Sequence, residues 1–226
     1  MDGDSKRELI ISALDTKSLI KVEAYNKCFE IFTELKDMLH EMSGQINEAV
    51  GSSRLIKTEY RDRGKFEAQL QVASDMLIFS MHTDVFKFNR EHSVLSVDYV
   101  KNDDSNAYCG IINIYDFLAD SFRYNRSADE GYLIARIFVN RNRHFFVEGK
   151  RQGSYSYDTF GSQVLTTEIL TDIIETAILY AAEFDLLVPP YDTQKIIAVE
   201  QVNTKIENSK IQTGKRLGYK FNSDDV

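Results

Sequence analysis

The chain of 226 residues is 43% apolar and 27% charged, with a formal net charge of −8. This composition is that of a globular protein with room for one large domain, and the negative charge argues against generic binding to nucleic acids or anionic membranes. Two cysteines, Cys28 and Cys109, lie outside any Cys-x-x-Cys pair or Cys/His cluster, so we expect two reduced, buried thiols and no disulfide framework.

The N-terminal segment carries no recognisable export or membrane signal. Its first ten residues, MDGDSKRELI, are polar and acidic, and they lack the apolar stretch of a signal peptide. No run in the sequence approaches the roughly eighteen apolar residues that a membrane span requires. We therefore predict a cytoplasmic protein without a membrane segment.

A long helix is predicted from about Thr16 to Val50, with Asp15 as its N-cap and Gly51 in the stop that follows it. Its apolar residues recur at alternating steps of three and four, which is the spacing of a heptad repeat. The repeat consists of Tyr25, Cys28, Phe32, Leu35, Leu39, Met42, Ile46 and Ala49.

Two interpretations of this helix remain open. Val22, Phe29 and Ile31 widen the apolar stripe, as expected of a helix that covers the sheet of its own domain. The regular spacing over this length is instead typical of a coiled coil, which predicts a homo-oligomer formed through residues 16–50.

The middle of the chain, residues 55–150, is rich in strand patterns separated by short polar links. Residues 66–72 alternate apolar and polar side chains with period two, so we expect one face of that strand to be buried and the other to be exposed to solvent. Consecutive strands with short links favour an antiparallel meander over parallel βαβ units. Further strands are predicted over residues 76–81 and 85–88, as a hairpin, and over 95–99, 107–114, 132–139 and 144–148, with a short helix over 115–122.

A second helix is predicted from about Thr166 to Val188, where a wide apolar face indicates burial in the core. Pro189-Pro190 ends this helix. Residues 191–226 remain ambiguous between helix and strand.

These elements predict an α+β fold, with an antiparallel sheet of about five to seven strands flanked by a long N-terminal helix and a buried C-terminal helix. Residues 1–53 are expected to form an N-terminal helical segment and residues 54–226 an α+β domain. The two parts are expected to make one continuous domain.

Nucleotide-binding and metal-binding motifs are absent from the sequence. Gly214-Lys215 hints at a phosphate loop, but Ser209 and Arg216 occupy positions where that motif needs Gly and Ser or Thr. There is no Gly-x-Gly-x-x-Gly, Gly-x-Ser-x-Gly or His-Glu-x-x-His, and the four histidines are dispersed. The acidic turn at residues 103–106 lacks the glycine and the distal glutamate of an EF-hand. We therefore predict no cofactor and no metal site.

A basic hairpin is the strongest charge feature, because residues 136–151 contain five cations and a single acid, Glu148. Guanidinium groups clustered at a hairpin can hold phosphate or carboxylate through paired hydrogen bonds, which makes an anion-binding site one interpretation. The other interpretation is a solvated turn whose charges discourage edge-to-edge aggregation. Tyr155, Tyr157 and Phe160 follow, and they either stack on a ligand ring or pack in the core. The predicted anion-binding residues are Arg136, Arg141, Arg143, Lys150 and Arg151.

The apolar run Phe145-Phe146-Val147 leads into Glu148-Gly149-Lys150. A strand that ends in Glu-x-Lys resembles the catalytic strand of the PD-(D/E)xK nuclease superfamily. The resemblance implies that Glu148 and an upstream Asp hold a divalent metal, and that Lys150 positions or activates the attacking water. The Pro-Asp of that pattern is missing, so Asp116 or Asp129 would have to take its place.

Because no complete catalytic constellation is recognisable, we predict a non-enzymatic intracellular binding or regulatory module. It is expected to self-associate and to bind an anionic small molecule or an acidic partner surface, whereas binding to nucleic acid is not expected. The alternative is a metal-dependent nuclease or phosphodiesterase that uses Glu148 and Lys150. A carboxylate beside Glu148 on a neighbouring strand would favour the alternative.

Overall fold

The computed structural model describes residues 3–51, 56–149, 157–184 and the single residue Val199. These residues include a continuous helical rod, one further long helix and a β-sheet. A π turn, Leu14–Ser18, joins the first two helices. Within the described residues, no helix is both long enough and apolar enough to cross a membrane. The helices are α1 (Gly3–Ala13), α2 (Leu19–Val50), α3 (Asp98–Asn102), α4 (Ala119–Arg123) and α5 (Thr167–Glu183).

Within the described residues, seven strands form an antiparallel sheet. They are β1 (Thr58–Asp62), β2 (Glu67–Val72), β3 (Asp75–Met81), β4 (Phe86–Lys87), β5 (Tyr108–Leu118), β6 (Tyr132–Asn140) and β7 (Phe145–Gly149). Their order is β1-β2-β3-β5-β6-β7, and β4 pairs with the start of β5. The predicted α+β fold, with its antiparallel sheet, long N-terminal helix and C-terminal helix, is confirmed.

The helix α2 lies across one face of the sheet and supplies much of the core. Its buried side chains pack with apolar residues from β2, β3, β5 and β6, so the helix covers the sheet of its own chain. The rod begins at Gly3 rather than near Thr16, and Asp15 lies in the π turn instead of acting as an N-cap. The buried positions of the predicted repeat are Cys28, Phe32, Leu35 and Leu39. These four side chains are therefore not available to a second copy.

The approach of α2 to β5 requires glycine at position 110. A Cβ placed on Gly110 would lie 2.5 Å from Cβ and 2.6 Å from Sγ of Cys28. Burial raises the pKa of the Cys28 thiol to about 12. Cys28 and Cys109 are both free and buried, as the sequence predicted.

The helix α5 completes the layer that α2 begins. It starts where the Thr166 hydroxyl accepts a hydrogen bond from the N–H of Ile169, an N-cap that satisfies one of the free donors of the first turn. The prediction of a buried C-terminal helix is confirmed up to Glu183, whereas Pro189-Pro190 and residues 191–226, apart from Val199, fall outside the described residues. The buried positions of α5 are Leu170, Ile173, Ile174, Ala177 and Ala181.

The segment between β4 and β5 covers part of the opposite face of the sheet. Val100 of this segment packs against Phe138 and Phe146 in a second core cluster. Phe160, which follows β7 in the chain, belongs to the same cluster.

Three local predictions are wrong. Residues 95–99 do not form a strand but belong to a 3₁₀ turn and to α3. Residues 115–122 are not one helix, because β5 continues to Leu118 and α4 begins at Ala119. The hairpin predicted between β3 and β4 does not form, because β5 is eleven residues long and pairs with both strands.

Candidate functional site

The described arginines of the basic hairpin do not converge on one pocket. The hairpin is formed by β6 and β7, with Arg136 inside β6 and with Arg141 and Arg143 in the turn. Both turn arginines pair with carboxylates of α2, whereas Arg136 stacks over Phe138, which belongs to the core cluster on the opposite face of the sheet. The other two predicted residues, Lys150 and Arg151, fall outside the described residues.

Arg143 fastens the hairpin to α2. Its Nη1 and Nη2 donate to Oε1 and Oε2 of Glu34 over 2.9 and 2.5 Å, and its Nε donates to the carbonyl oxygen of Leu165 over 2.5 Å. The hydrogen bonds to Glu34 raise the pKa of the Arg143 guanidinium above its ordinary range. Its backbone has a φ of 64°, in the left-handed region that side chains rarely adopt. The carboxylate of Glu34 therefore occupies the edge of this guanidinium that would donate two parallel hydrogen bonds to a ligand.

Arg141 connects α2 with the turn that precedes β5. Its Nη1 lies 3.3 Å from Oε2 of Glu23, and its Nη2 lies 3.4 Å from Oδ2 of Asp103 and 3.0 Å from Oγ of Ser105. An anionic ligand at the hairpin would therefore have to compete with intramolecular carboxylates at both turn arginines.

Glu148 lies between Arg136 and His92. Its Oε2 accepts hydrogen bonds from Nη2 of Arg136 and, over 3.1 Å, from Nε, while its Oε1 lies 3.2 Å from Nε2 of His92. The residue opposite Glu148 on the neighbouring strand is thus an arginine and not the second carboxylate that a metal-dependent nuclease uses. Asp116 and Asp129, the candidates for that carboxylate, line a pocket at the end of β5. Among the described residues no three His, Cys, Asp or Glu side chains are grouped so that they could hold a metal ion.

An acidic pocket, which the sequence analysis did not predict, lies at the C-terminal end of β5. It has a volume of about 400 Å³ and is bounded by β3, β5, β6, the loop after α4 and the end of α5. Tyr132 and Phe184 form part of its wall, and their ring centroids are 6.0 Å apart. The carboxylates that line it are Asp75, Asp116, Asp129 and Glu130.

Asp116 is a buried carboxylic acid on the wall of this pocket. It lies opposite Leu77 of β3 and two residues after Ile114, so it belongs to the face of the sheet that the long helices cover. It is 4% exposed, and its Oδ1 accepts no hydrogen bond from any described residue. Burial, and to a smaller extent the negative charge of Asp75, raises the pKa of Asp116 to about 7. At neutral pH this group can therefore exchange its proton for a cation.

The loop after α4 holds a second carboxylate of the pocket in place. Oδ2 of Asp129 accepts hydrogen bonds from Oγ of Ser121 over 2.6 Å and from Nε of Arg126 over 2.7 Å. Arg126 thus offsets the charge of Asp129.

The sequence contained one signal that could have revealed this pocket. In β5 the buried phase runs through Ile112 and Ile114, and the next residue in that phase is Asp116. A charged residue in the buried phase of a strand is uncommon without a partner or a function. The prediction of a helix over residues 115–122 broke the phase before Asp116 and hid this signal.

The start of the helical rod projects from the domain. Every residue from 5 to 19 is exposed, and burial against the sheet begins at Ala24. The exposed segment nevertheless carries large apolar side chains, which are unusual on a free surface when they are contiguous. Those more than half exposed are Leu9, Ile10, Ile11, Leu14, Leu19 and Val22.

Neither the protein-family models, nor the curated proteins, nor the solved structures contain a match to this chain.

Proposed function

We propose that this chain is a non-enzymatic binding module that acts as a homodimer, in which two copies are joined through the projecting helix (residues 5–22). The observation that carries the proposal is the exposure of every residue from 5 to 19 in a segment that is helical and rich in large apolar side chains. A helix of this length is only marginally stable in water without tertiary packing. A second copy would supply that packing.

The π turn aligns the exposed apolar side chains on one side of the projecting helix. Successive residues of an α-helix are about 100° apart, and a π turn adds about one residue, which rotates the helix that follows by a similar angle. The apolar stripe begins with Ile10, Ile11 and Leu14. After the rotation, Leu19 and Val22 continue it on the same side, whereas in an uninterrupted α-helix they would lie about 100° further round. These five residues are called the apolar stripe below.

Charges of opposite sign flank the apolar stripe. By the same helical geometry, Lys6, Lys17 and Lys21 lie along one side of it, and Glu8 and Asp15 lie along the other. In a parallel pair of helices the opposite flanks face each other, whereas in an antiparallel pair like flanks meet. Charge complementarity therefore favours a parallel pair of two copies of this chain.

This proposal fits the geometry better than the metal-dependent nuclease does, because Arg136 and His92 already hold the carboxylate of Glu148. An anionic ligand at the hairpin stays a prediction. Such a ligand would have to displace Glu34 from Arg143 or to bind through Lys150 and Arg151.

The test is the mass of the particle in solution, measured by sedimentation velocity over a series of protein concentrations. We expect the wild type to form dimers as the concentration rises. The substitution Leu14→Gln removes an apolar side chain from the centre of the stripe in both copies, so we expect it to weaken dimerisation by at least about tenfold.

Leu9→Gln is the matched control. Leu9 is 63% exposed and lies on the same helix, but helical geometry places it on the side away from the apolar stripe. We expect this control to dimerise like the wild type. A wild type that stays monomeric at every concentration, or equal effects of the two substitutions, would contradict the proposal.

A further inference from the structure

We propose that the acidic pocket at the end of β5 binds a protonated primary amine attached to an apolar body, with Asp116 as the residue that accepts the hydrogen bond of the ammonium group. This inference goes beyond self-association, because no part of the projecting helix lines the pocket.

The buried carboxylate of Asp116 favours a cationic ligand. A carboxylate that is 4% exposed and accepts no hydrogen bond at Oδ1 from any described residue carries a desolvation cost that no described donor offsets at that oxygen. An ammonium group at this oxygen would supply both a hydrogen-bond donor and a compensating charge.

The charges around Asp116 also favour a cation. Asp75, Asp129 and Glu130 line the same pocket as Asp116, and Arg126 is hydrogen-bonded to Asp129. Among the described lining residues there are acids but no lysine or arginine, so this lining favours positive ligands over phosphate or carboxylate ligands. The ligand of this pocket is therefore a cation, opposite in sign to the ligand that the basic hairpin suggests.

The lining of the pocket favours an organic cation over a metal ion. Among the described residues no three acidic, histidine or cysteine side chains are grouped to bind a metal. The rings of Tyr132 and Phe184, with Leu118 and Ala128, give the pocket an apolar wall that suits the carbon skeleton of an amine. A volume of about 400 Å³ suits a small molecule and not a protein segment.

Binding of the amine is expected to be coupled to loss of a proton from Asp116. The described titratable groups that line the pocket with Asp116 are Asp75 from β3, Asp129 and Glu130 from the loop after α4, and Tyr132 from β6. Arg126 of that loop is hydrogen-bonded to Asp129, and the end of α5 contributes the ring of Phe184. In the free protein, burial and the Asp75 charge raise the pKa of Asp116 to about 7, so part of the population is protonated near neutral pH. An ammonium ion stabilises the carboxylate, so its binding lowers this pKa and is strongest above neutral pH.

The experiment measures binding of three cations and one neutral molecule by calorimetry at pH 8. The probes are 2-phenylethylamine, agmatine and choline, with 2-phenylethanol as the neutral counterpart of the first. We expect 2-phenylethylamine to bind and 2-phenylethanol not to bind, because the latter lacks the charge. Agmatine has a primary ammonium on a more polar body and is expected to bind less tightly, and choline has no N–H donor for Asp116 and is expected to bind least.

Asp116→Asn tests the residue itself, and Asp98→Asn is its control because the Asp98 carboxylate lies on the exposed surface outside the pocket. We expect Asp116→Asn to weaken binding of 2-phenylethylamine by about tenfold to a hundredfold, the usual cost of a lost charge-assisted hydrogen bond. The control should bind like the wild type. In the wild type, NMR of the Asp116 carboxyl carbon should show a pKa that falls when the amine is added.

Three results would overturn the proposal. They are the absence of binding by any of the cations at millimolar concentration, equal binding of 2-phenylethanol and 2-phenylethylamine, and unchanged binding to Asp116→Asn. If Asp116→Asn fails to fold, the carbon NMR titration of the wild type still tests the proposal independently.

Discussion

Two aspartates of this chain have the same carboxyl group and opposite shifts in pKa. Asp62 is exposed and accepts hydrogen bonds from Nζ of Lys36 and from the N–H of Gly64 at 2.7 and 2.8 Å, which lowers its pKa. Asp116 is buried, and its pKa is raised to about 7 by burial and by Asp75. Water and donors stabilise the first carboxylate, whereas the second has neither at Oδ1 among the described residues.

The raised pKa of Asp116 predicts how stability changes with pH. In the folded state the pKa rises from its ordinary value of 3.8 to about 7, so between about pH 4 and pH 7 the folded protein holds a proton that the unfolded chain releases. The contribution of Asp116 to stability is therefore present at low pH and is lost as the pH rises to about 7. Asp116→Asn cannot ionise, so we expect it to increase the free energy of unfolding at pH 8 by a few kcal/mol, roughly 1.4 kcal/mol for each pH unit of the shift.

Urea unfolding at several pH values checks this expectation. The difference in stability between Asp116→Asn and the wild type should grow from about pH 4 to pH 7 and then stay constant. Gly44→Ala on the exposed side of α2 changes no ionisable group, so it should give no such trend. If Asp116→Asn is less stable than the wild type at pH 8, the carboxylate has a partner that stabilises it.

At the scale of the elements, the contact of α2 with β5 decides how closely the helix layer can approach the sheet. A Cβ at position 110 would meet Cys28 at 2.5 Å, and Gly110 has no left-handed φ, so the requirement for glycine is steric. The predicted pattern of α2 contained Cys28 as one apolar position among many. Gly110, which must be glycine because Cys28 lies so close to it, is on a strand about eighty residues further along the chain. The local pattern of α2 gives no sign of this contact.

The substitution Gly110→Ala is expected to push α2 away from β5 and to lower the free energy of unfolding by about 2 kcal/mol, as overpacking of a core typically does. Cys28→Gly in the same chain removes the atoms that the new Cβ meets, at the cost of about 1 kcal/mol for glycine inside a helix. We therefore expect the double variant to be more stable than the sum of the two single changes predicts. Urea unfolding of the four proteins of this cycle measures the coupling.

Gly44→Ala provides the control for adding a methyl group. Gly44 is exposed on α2, and a Cβ there would meet nothing within 4 Å. We expect this variant to gain about 0.5–1 kcal/mol, because alanine has the higher helix propensity. Strictly additive effects of Gly110→Ala and Cys28→Gly would show that the close approach carries no strain.

At the scale of the whole molecule, the two proposed binding surfaces lie at opposite ends of the sheet. Lys21 lies over the ring of Tyr108 at the start of β5, so the projecting helix leaves the domain at that end. The acidic pocket contains Asp116 and Leu118 at the other end of the same strand. Eleven residues of strand span roughly 35 Å, so dimerisation leaves the pocket open.

A parallel dimer predicts a specific disulfide. Helical geometry places Arg7 at the N-terminal end of the apolar stripe, so Arg7→Cys in one copy would lie beside Arg7→Cys in the other. In an antiparallel pair the same position would face the region of Val22 instead. Under mild oxidation we expect Arg7→Cys to form covalent dimers, which denaturing gel electrophoresis without reductant detects.

Ser5→Cys is the control, because Ser5 is exposed but lies off the stripe. The native Cys28 and Cys109 are fully buried, so they should not contribute to the cross-link. Covalent dimers of Ser5→Cys as abundant as those of Arg7→Cys would argue against the parallel pair and for random collision.

The local periodicity of the sequence determined most of the fold of this chain. Spacing of three and four residues fixed α2 and α5 as helices, and alternation with period two fixed most strands, because each pattern puts apolar side chains on one face of one kind of element. The pattern was insufficient in the segment around residues 95–99. Its apolar residues fit a strand and a helical turn equally well, and the choice was made by packing on the second core cluster.

The tertiary structure alone decided which side chains meet. The sequence showed that Arg143 belongs to a basic hairpin, but its partner Glu34 is 109 residues away, and only the packing of α2 on the sheet brings the two together. The same packing buries the predicted heptad residues, so the exposed stripe on the projecting helix is what remains for a second copy. Asp116 acquires its pKa of about 7 only when the ends of β3, β5, β6 and α5 close around it. Burial, desolvation and charge pairing depend on distances between residues remote in sequence, whereas periodicity records only which face of an element is apolar.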